Sequence, residues 1–202
     1  MSDHFYHVYA GGGWEEPVAE HVEALHRSGL VSYFDNIYVG YVGPIDRIAA
    51  AEKEIMAALP AVTVTRTGTG WEQETMSLIP HYLSSGPVLY AHTKGSSDPS
   101  PINKAWRRSM TLECVIRWER AVEALHEWDI AGCHWLMADD LKWFFGGTFW
   151  WANSDYLRTL PPVSVENRWQ AEHWVGLNPQ VRAFDLKPGH PGDIPLDTDW
   201  RL

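Results

Sequence analysis

Between His4 and His92 the chain alternates β-prone runs with helix-prone stretches, and this alternation leaves few folds open. The runs "HFYHVYA", "NIYVGYVG", "AVTVTRTG" and "PVLYAH" are rich in aromatic and β-branched residues. Between them lie "EEPVAEHVEALHRSGL", "PIDRIAAAEKEIMAALP" and "WEQETMSLIPHYLSSG". The first of these carries Glu15 and Glu16 at its positive end, Pro17 in its first turn and Gly29 where it stops. The third contains Pro80, which predicts a kink. The expectation is an α/β fold, a mostly parallel central sheet with helices on both faces. Ligands bind such sheets beyond the carboxyl ends of the strands. That rule places "AGGG", after the first strand, and "HTKG", after the fourth, on one rim.

The second half reads differently. "KAWRRSMTLECVIRWERAVEALHEW" predicts one long helix, "DIAGCHW" a strand, "FFGGTFWWANSDYLRTLP" a strand then a helix, and "ENRWQAEHWVGL" a short helix. From Asp185 the tail is rich in Pro and Gly, as a frayed end or an ordered flap would be.

A net charge of −10 argues against non-specific binding to nucleic acid or an anionic membrane. Cys114 and Cys133 are the two cysteines, too few for a disulfide framework or a CxxC metal site, so a reducing, cytoplasmic compartment is expected. The N-terminal residues lack the basic start and apolar stretch of a signal peptide. No run approaches the roughly 18 apolar residues of a membrane helix.

Within "AHTKG", Lys94 can neutralise a phosphate as a point charge, His92 can donate a hydrogen bond, and Gly95 permits close backbone approach. The alternative is a polar strand end meeting solvent. Arg107 and Arg108, with Lys94 and Lys104, would make either a local positive pocket or a solvated helix face. Trp150 and Trp151 could stack on a sugar and Asn153 could bond hydroxyls; the alternative is a packed core corner. Glu172, beside His173, is a candidate base or nucleophile, or else a surface carboxylate. Asp139 and Asp140 could bind a hard cation, or form a turn or a helix cap. There is no Walker loop and no GxGxxG.

The series "YAHTKG", "WRRSM", "DIAGC", "FFGGTFWWANSDYLRTLP" and "AEHWVG", from about residue 67 to 177, resembles small bacterial and phage-type glycosyltransferases of the GT-A superfamily. The resemblance implies a single GT-A-like, Rossmann-like domain over residues 1–184, followed by a tail over 185–202. It implies a nucleotide-sugar donor held near Ala10, Gly11, His92, Thr93 and Arg107. Gly146, Gly147, Thr148, Trp150, Trp151, Asn153 and His173 would form the sugar and acceptor pocket. Glu172 falls where the superfamily keeps a late acidic residue.

One departure stands out. The superfamily's metal-binding Asp-x-Asp position reads His92-Thr93-Lys94 here. Fixed cations can stabilise a leaving diphosphate in place of a metal, so Lys94, with His92 and Arg107, is expected to do so without Mg²⁺ or Mn²⁺. An unorthodox metal site at Asp139, Asp140 or His190 is the alternative. The acceptor stays open among protein, glycan and modified DNA, and a non-catalytic nucleotide- or sugar-binding module is the alternative function.

Overall fold

The computed structural model describes residues 1–139, 142–164 and 168–201. In chain order the elements are β1 (Asp3–Tyr9), α1 (Glu15–Arg27), α2 (Leu30–Tyr33), β2 (Asn36–Val42), α3 (Ile45–Ala58), β3 (Ala61–Thr67), α4 (Gln73–Met76), α5 (Ile79–Tyr82) and β4 (Pro87–His92). The second half adds α6 (Pro101–Thr111), a π-helical segment Leu112–Ile116, α7 (Trp118–Ala124), β5 (Ile130–Cys133), β6 (Trp135–Met137), β7 (Trp143–Phe145), β8 (Trp150–Asn153), α8 (Ser154–Leu157), α9 (Trp169–Trp174) and β9 (Ala183–Lys187).

The main sheet runs β3-β2-β1-β4-β8-β5-β9. β8 is antiparallel to both neighbours, and the other pairings are parallel. The fold is the expected α/β architecture, with a mostly parallel sheet and helices on both faces. β1 sits between β2 and β4 and is buried along nearly its whole length, which is why it reads as an unbroken run rather than an alternation. One face packs on α1, α3 and the π-α7 segment through Leu25, Ile55 and Val115. The other packs on α4, α5, α8 and α9 through Met76, Ile79, Leu157 and Trp174.

Two helix predictions are revised. The third helix is not kinked but divided, and Pro80 takes an early position of α5, where its missing N–H costs nothing. The long helix is interrupted: Arg117 N bonds Leu112 O at 3.0 Å, five residues back, through the π segment. Trp151 Nε1 donates to Cys114 O at 2.8 Å, so a side chain from the sheet enters the helical ladder there.

Trp150 and Trp151 are both fully buried. Neighbours on a strand point to opposite faces, and each indole enters a different half of the core. They are core residues, not walls of a sugar pocket. The tail is ordered: Asp185 lies within β9, Trp200 is fully buried, and Arg201 pairs with Glu23 at 2.8 Å. A boundary at residue 185 thus falls inside a strand of the sheet. Among the described residues no helix is long and apolar enough to cross a membrane.

Candidate active site

The strand order reverses at β1, with β2 and β3 on one side and β4 on the other. The carboxyl ends of β1 and β4 lie side by side there, on the rim where open α/β sheets take their ligands. A cavity of about 460 Å³ lies there, and His7, Tyr9, Glu72, His92, Lys94 and Glu172 are among its lining residues. Thr93 forms part of its floor: its N–H donates to His7 O at 3.0 Å and its hydroxyl accepts from Tyr9 N at 2.9 Å. Thr93 thus ties β4 to β1, and its side chain is buried.

Lys94 lies just beyond β4, after Thr93. Its ammonium lies 3.9 Å from the centre of the Trp106 ring, a cation–π contact. Burial pulls it below the usual lysine range, while Glu172 and Glu72 act in the opposite direction. Burial pushes Glu172, on α9, up to about 7; Glu72 adds to the shift, and Lys94 and Arg168 oppose it. One enclosed ammonium and two carboxyls thus share the cavity, with the exposed Arg168 guanidinium at its mouth. The mouth carries Trp71 and Trp169, each about half exposed, and the Arg168 guanidinium lies 5.7 and 4.2 Å from their ring centres.

Glu72 is a site residue that the sequence reading missed. It sits just before α4, on the loop following β3, and so on the same carboxyl rim as "HTKG". That shared rim was the signal available. Its Oε2 accepts from the Tyr90 hydroxyl at 3.2 Å, and its Oε1 lies 3.4 Å from His92 Nδ1. Burial raises Glu72 to about 7, against Lys94, Tyr90 and Arg168. The same burial, aided by Lys94, holds His92 down to about 3, so the ring is neutral.

The sequence profile of a family described as a domain of unknown function, DUF8361, matches residues 5–166. The chain is a DUF8361 protein. No curated protein matches it. Among solved structures, the mannosyltransferase PcManGT of Pyrobaculum calidifontis, in complex with GDP-Man and Mn²⁺, aligns with a TM-score of 0.55 at 11% identity, covering 91% of this chain and 54% of that one. The bifunctional IspDF of Campylobacter jejuni gives 0.55 at 10% identity over 98% and 52% of the two chains. A nucleotidyl transferase from Methanothermobacter gives 0.53 at 14% identity over 98% and 93%. The DUF8361 chain spans about half the length of the first two. At these identities the likeness concerns the fold, which is GT-A-like.

Several residues singled out in the DUF8361 sequence lie elsewhere. Arg107 turns away from the cavity: Nε and Nη2 donate to Glu20 Oε2 at 3.0 and 2.8 Å, and Nη1 donates to Lys94 O at 2.9 Å. Arg108 takes Glu20 Oε1 at 2.7 Å, and Lys104 pairs with Glu16. The supposed positive pocket is therefore neutralised by α1. His92 is not free to donate to a phosphate, because its Nε2 is engaged with Gly147 O at 2.8 Å. Ala10 is fully buried and Gly11 packs under the Tyr9 ring.

Gly146, Gly147 and Thr148 form a turn that meets the site through this Gly147 carbonyl and through the packing of Gly147 beside the Trp106 indole. His173 packs its ring on Phe144, centre to centre 5.1 Å. Asn153 donates to Leu125 O and Trp128 O, beside a shallow depression at the amino end of β4, away from Lys94. Asp139 is exposed, and His190 Nδ1 accepts from Gly192 N. Asp140 lies outside the described residues.

The cavity's donor set also fits a divalent cation poorly. Its carboxyls face an ammonium and a guanidinium, and one nitrogen of His92 is already bonded within the protein. Among the described residues no three His, Cys, Asp or Glu groups converge as metal ligands.

Proposed function

We propose that this DUF8361 protein moves a glycosyl group from a nucleoside-diphosphate sugar to an acceptor hydroxyl. One observation carries the reading: an enclosed ammonium, Lys94, faces the carboxyl of Glu172 across a cavity at the switch point of a GT-A-like sheet. Breaking the anomeric C–O bond places charge on the departing diphosphate, and a fixed cation in a water-poor site stabilises that charge strongly. Lys94 and Arg168 take this role in place of a metal. Glu172 accepts the proton of the attacking hydroxyl; a carboxyl shifted toward neutrality suits a base working near pH 7. The half-exposed indoles of Trp71 and Trp169 offer flat faces for a nucleobase or a sugar.

The test is a panel of UDP-, GDP- and TDP-sugars, each with EDTA or Mn²⁺, read by thermal shift and by chromatography of the donor. Stabilisation with slow release of free sugar in EDTA is the expected result. Stabilisation without turnover would make this a binding module. Strict dependence on Mn²⁺ would overturn the metal-free reading. Release of pyrophosphate from a nucleoside triphosphate plus a sugar phosphate would reassign the chemistry to nucleotidyl transfer.

A further inference from the structure

The transfer just described leaves Glu72 without a task, and its surroundings fix where its proton lies. The Gly147 carbonyl can only accept, so His92 Nε2, 2.8 Å away, carries a hydrogen. A neutral imidazole then presents a lone pair at Nδ1, 3.4 Å from Glu72 Oε1. Two acceptors would face each other unless a proton stands between them. An imidazolium would supply one, but the ring is buried beside Lys94, and both conditions oppose a second positive charge. The proton therefore belongs to Glu72, whose other oxygen is already engaged by the Tyr90 hydroxyl at 3.2 Å. Glu72 lines the same cavity as Lys94 and Glu172.

We propose that Glu72 is the catalytic acid of this site, delivering its carboxyl proton to the leaving phosphate oxygen. This deepens the glycosyl-transfer reading and rests on it. As the anomeric C–O bond breaks, its electron pair goes to the phosphate oxygen, which takes the proton from Glu72. The acceptor oxygen bonds the anomeric carbon and gives its own proton to Glu172. One carboxyl loses a proton and the other gains one, so a single proton returned from Glu172 to Glu72 through water resets the site.

The charges agree. With both carboxyls ionised, Lys94 and Arg168 would be cancelled. With Glu72 neutral, Lys94 inside and Arg168 at the mouth outnumber the Glu172 carboxylate, so the cavity together with its mouth is net positive and suited to a diphosphate. The groups facing Glu72 are Tyr90 and His92 from β4, Lys94 beyond it, and Arg168 and Glu172 at α9; His7 of β1 lines the same cavity beside His92.

The experiment pairs kinetics with a carboxyl titration that needs no turnover. Glu72→Gln can still donate to His92 Nδ1 and accept from Tyr90, but it carries no transferable proton. Its kcat should fall by about 100- to 10,000-fold with the donor KM nearly unchanged, and the alkaline limb of the wild-type pH profile should vanish. Tyr90→Phe removes a bond favouring the carboxylate, so it should move that limb to higher pH. ¹³C NMR of labelled glutamate should show a carboxyl titrating near neutrality in the wild type and missing from Glu72→Gln. Normal turnover in Glu72→Gln, or a Glu72 signal titrating in the ordinary acidic range, overturns the proposal. If no donor is consumed by the wild type, the transfer reading fails and takes the catalytic role with it, while the NMR titration still decides where the proton resides.

Discussion

Arg107 holds the main-chain carbonyl of Lys94, donating from Nη1 at 2.9 Å, while the rest of its guanidinium clamps Glu20. The arginine expected to touch a ligand instead fixes the backbone of the lysine that does line the cavity. Arg107→Lys keeps the charge but cannot make this three-way contact. We expect a folded protein with a lower Tm and donor binding weakened about tenfold, read by calorimetric titration. Arg107→Ala should cost more stability, yet less than the about 3–5 kcal/mol of a fully broken buried pair, because Arg108 still holds Glu20. Unchanged donor affinity in Arg107→Lys would mean that the Lys94 turn does not depend on this clamp.

Lys94→Ala and Glu172→Gln should each reduce turnover by about 100- to 1000-fold while leaving the circular dichroism spectrum intact. Neither side chain belongs to the two apolar clusters that hold the sheet. Near-wild-type rates in both variants would remove these residues from the mechanism.

Glu172 should also show a stability signature. Its folded pKa is raised from an unfolded value near 4.5 to about 7. A group raised in this way contributes stability that is fully present below pH 4.5 and lost as pH rises through 7. At pH 8 the wild type carries a buried, ionised carboxylate that Glu172→Gln does not. The variant should therefore be more stable than wild type at pH 8, by about 1–3 kcal/mol, with the gain shrinking toward pH 5. Urea melts at the two pH values measure this; a gain equal at both would show that the carboxyl is not titrating in between.

Much of the fold was legible because β1, β2 and β4 are buried on both faces and so read as unbroken runs rich in aromatic and β-branched residues. The break after α6 was not, since it depends on Trp151, a residue 37 positions from the carbonyl it takes. Lys94 and Glu172 were visible as charges near predicted element ends. Arg107 was visible too, but its direction was set by Glu20, an acidic residue of α1 that looks like any surface glutamate in the sequence. Glu72 and Arg168 acquire meaning only once β3, β4 and α9 are brought to one rim. The adjacent pair Trp150-Trp151 could have been read better: neighbours on a strand buried on both sides must enter opposite halves of the core.

The glycines after β1 give the sharpest structural test. They were expected to lie against a donor, yet Gly12 lies against the turn that carries Lys94. A Cβ there would stand 1.8 Å from Ser96 O and 2.6 Å from Ser96 C, main-chain atoms that cannot move aside as a side-chain tip would. Gly13 N also donates to Ser96 O at 2.8 Å, so the two turns are bonded as well as packed. At Gly13 itself a Cβ would meet nothing within 4 Å. Gly12→Ala should therefore cost about 1–3 kcal/mol or more by overpacking and displace the turn after β4, lowering donor affinity with it. Gly13→Ala should be neutral, or stabilising by up to about 1 kcal/mol through the less flexible unfolded chain. Paired melts and donor titrations separate the two cases. Equal tolerance at both positions would mean that the β1 turn does not buttress Lys94, and that the glycines serve a ligand after all.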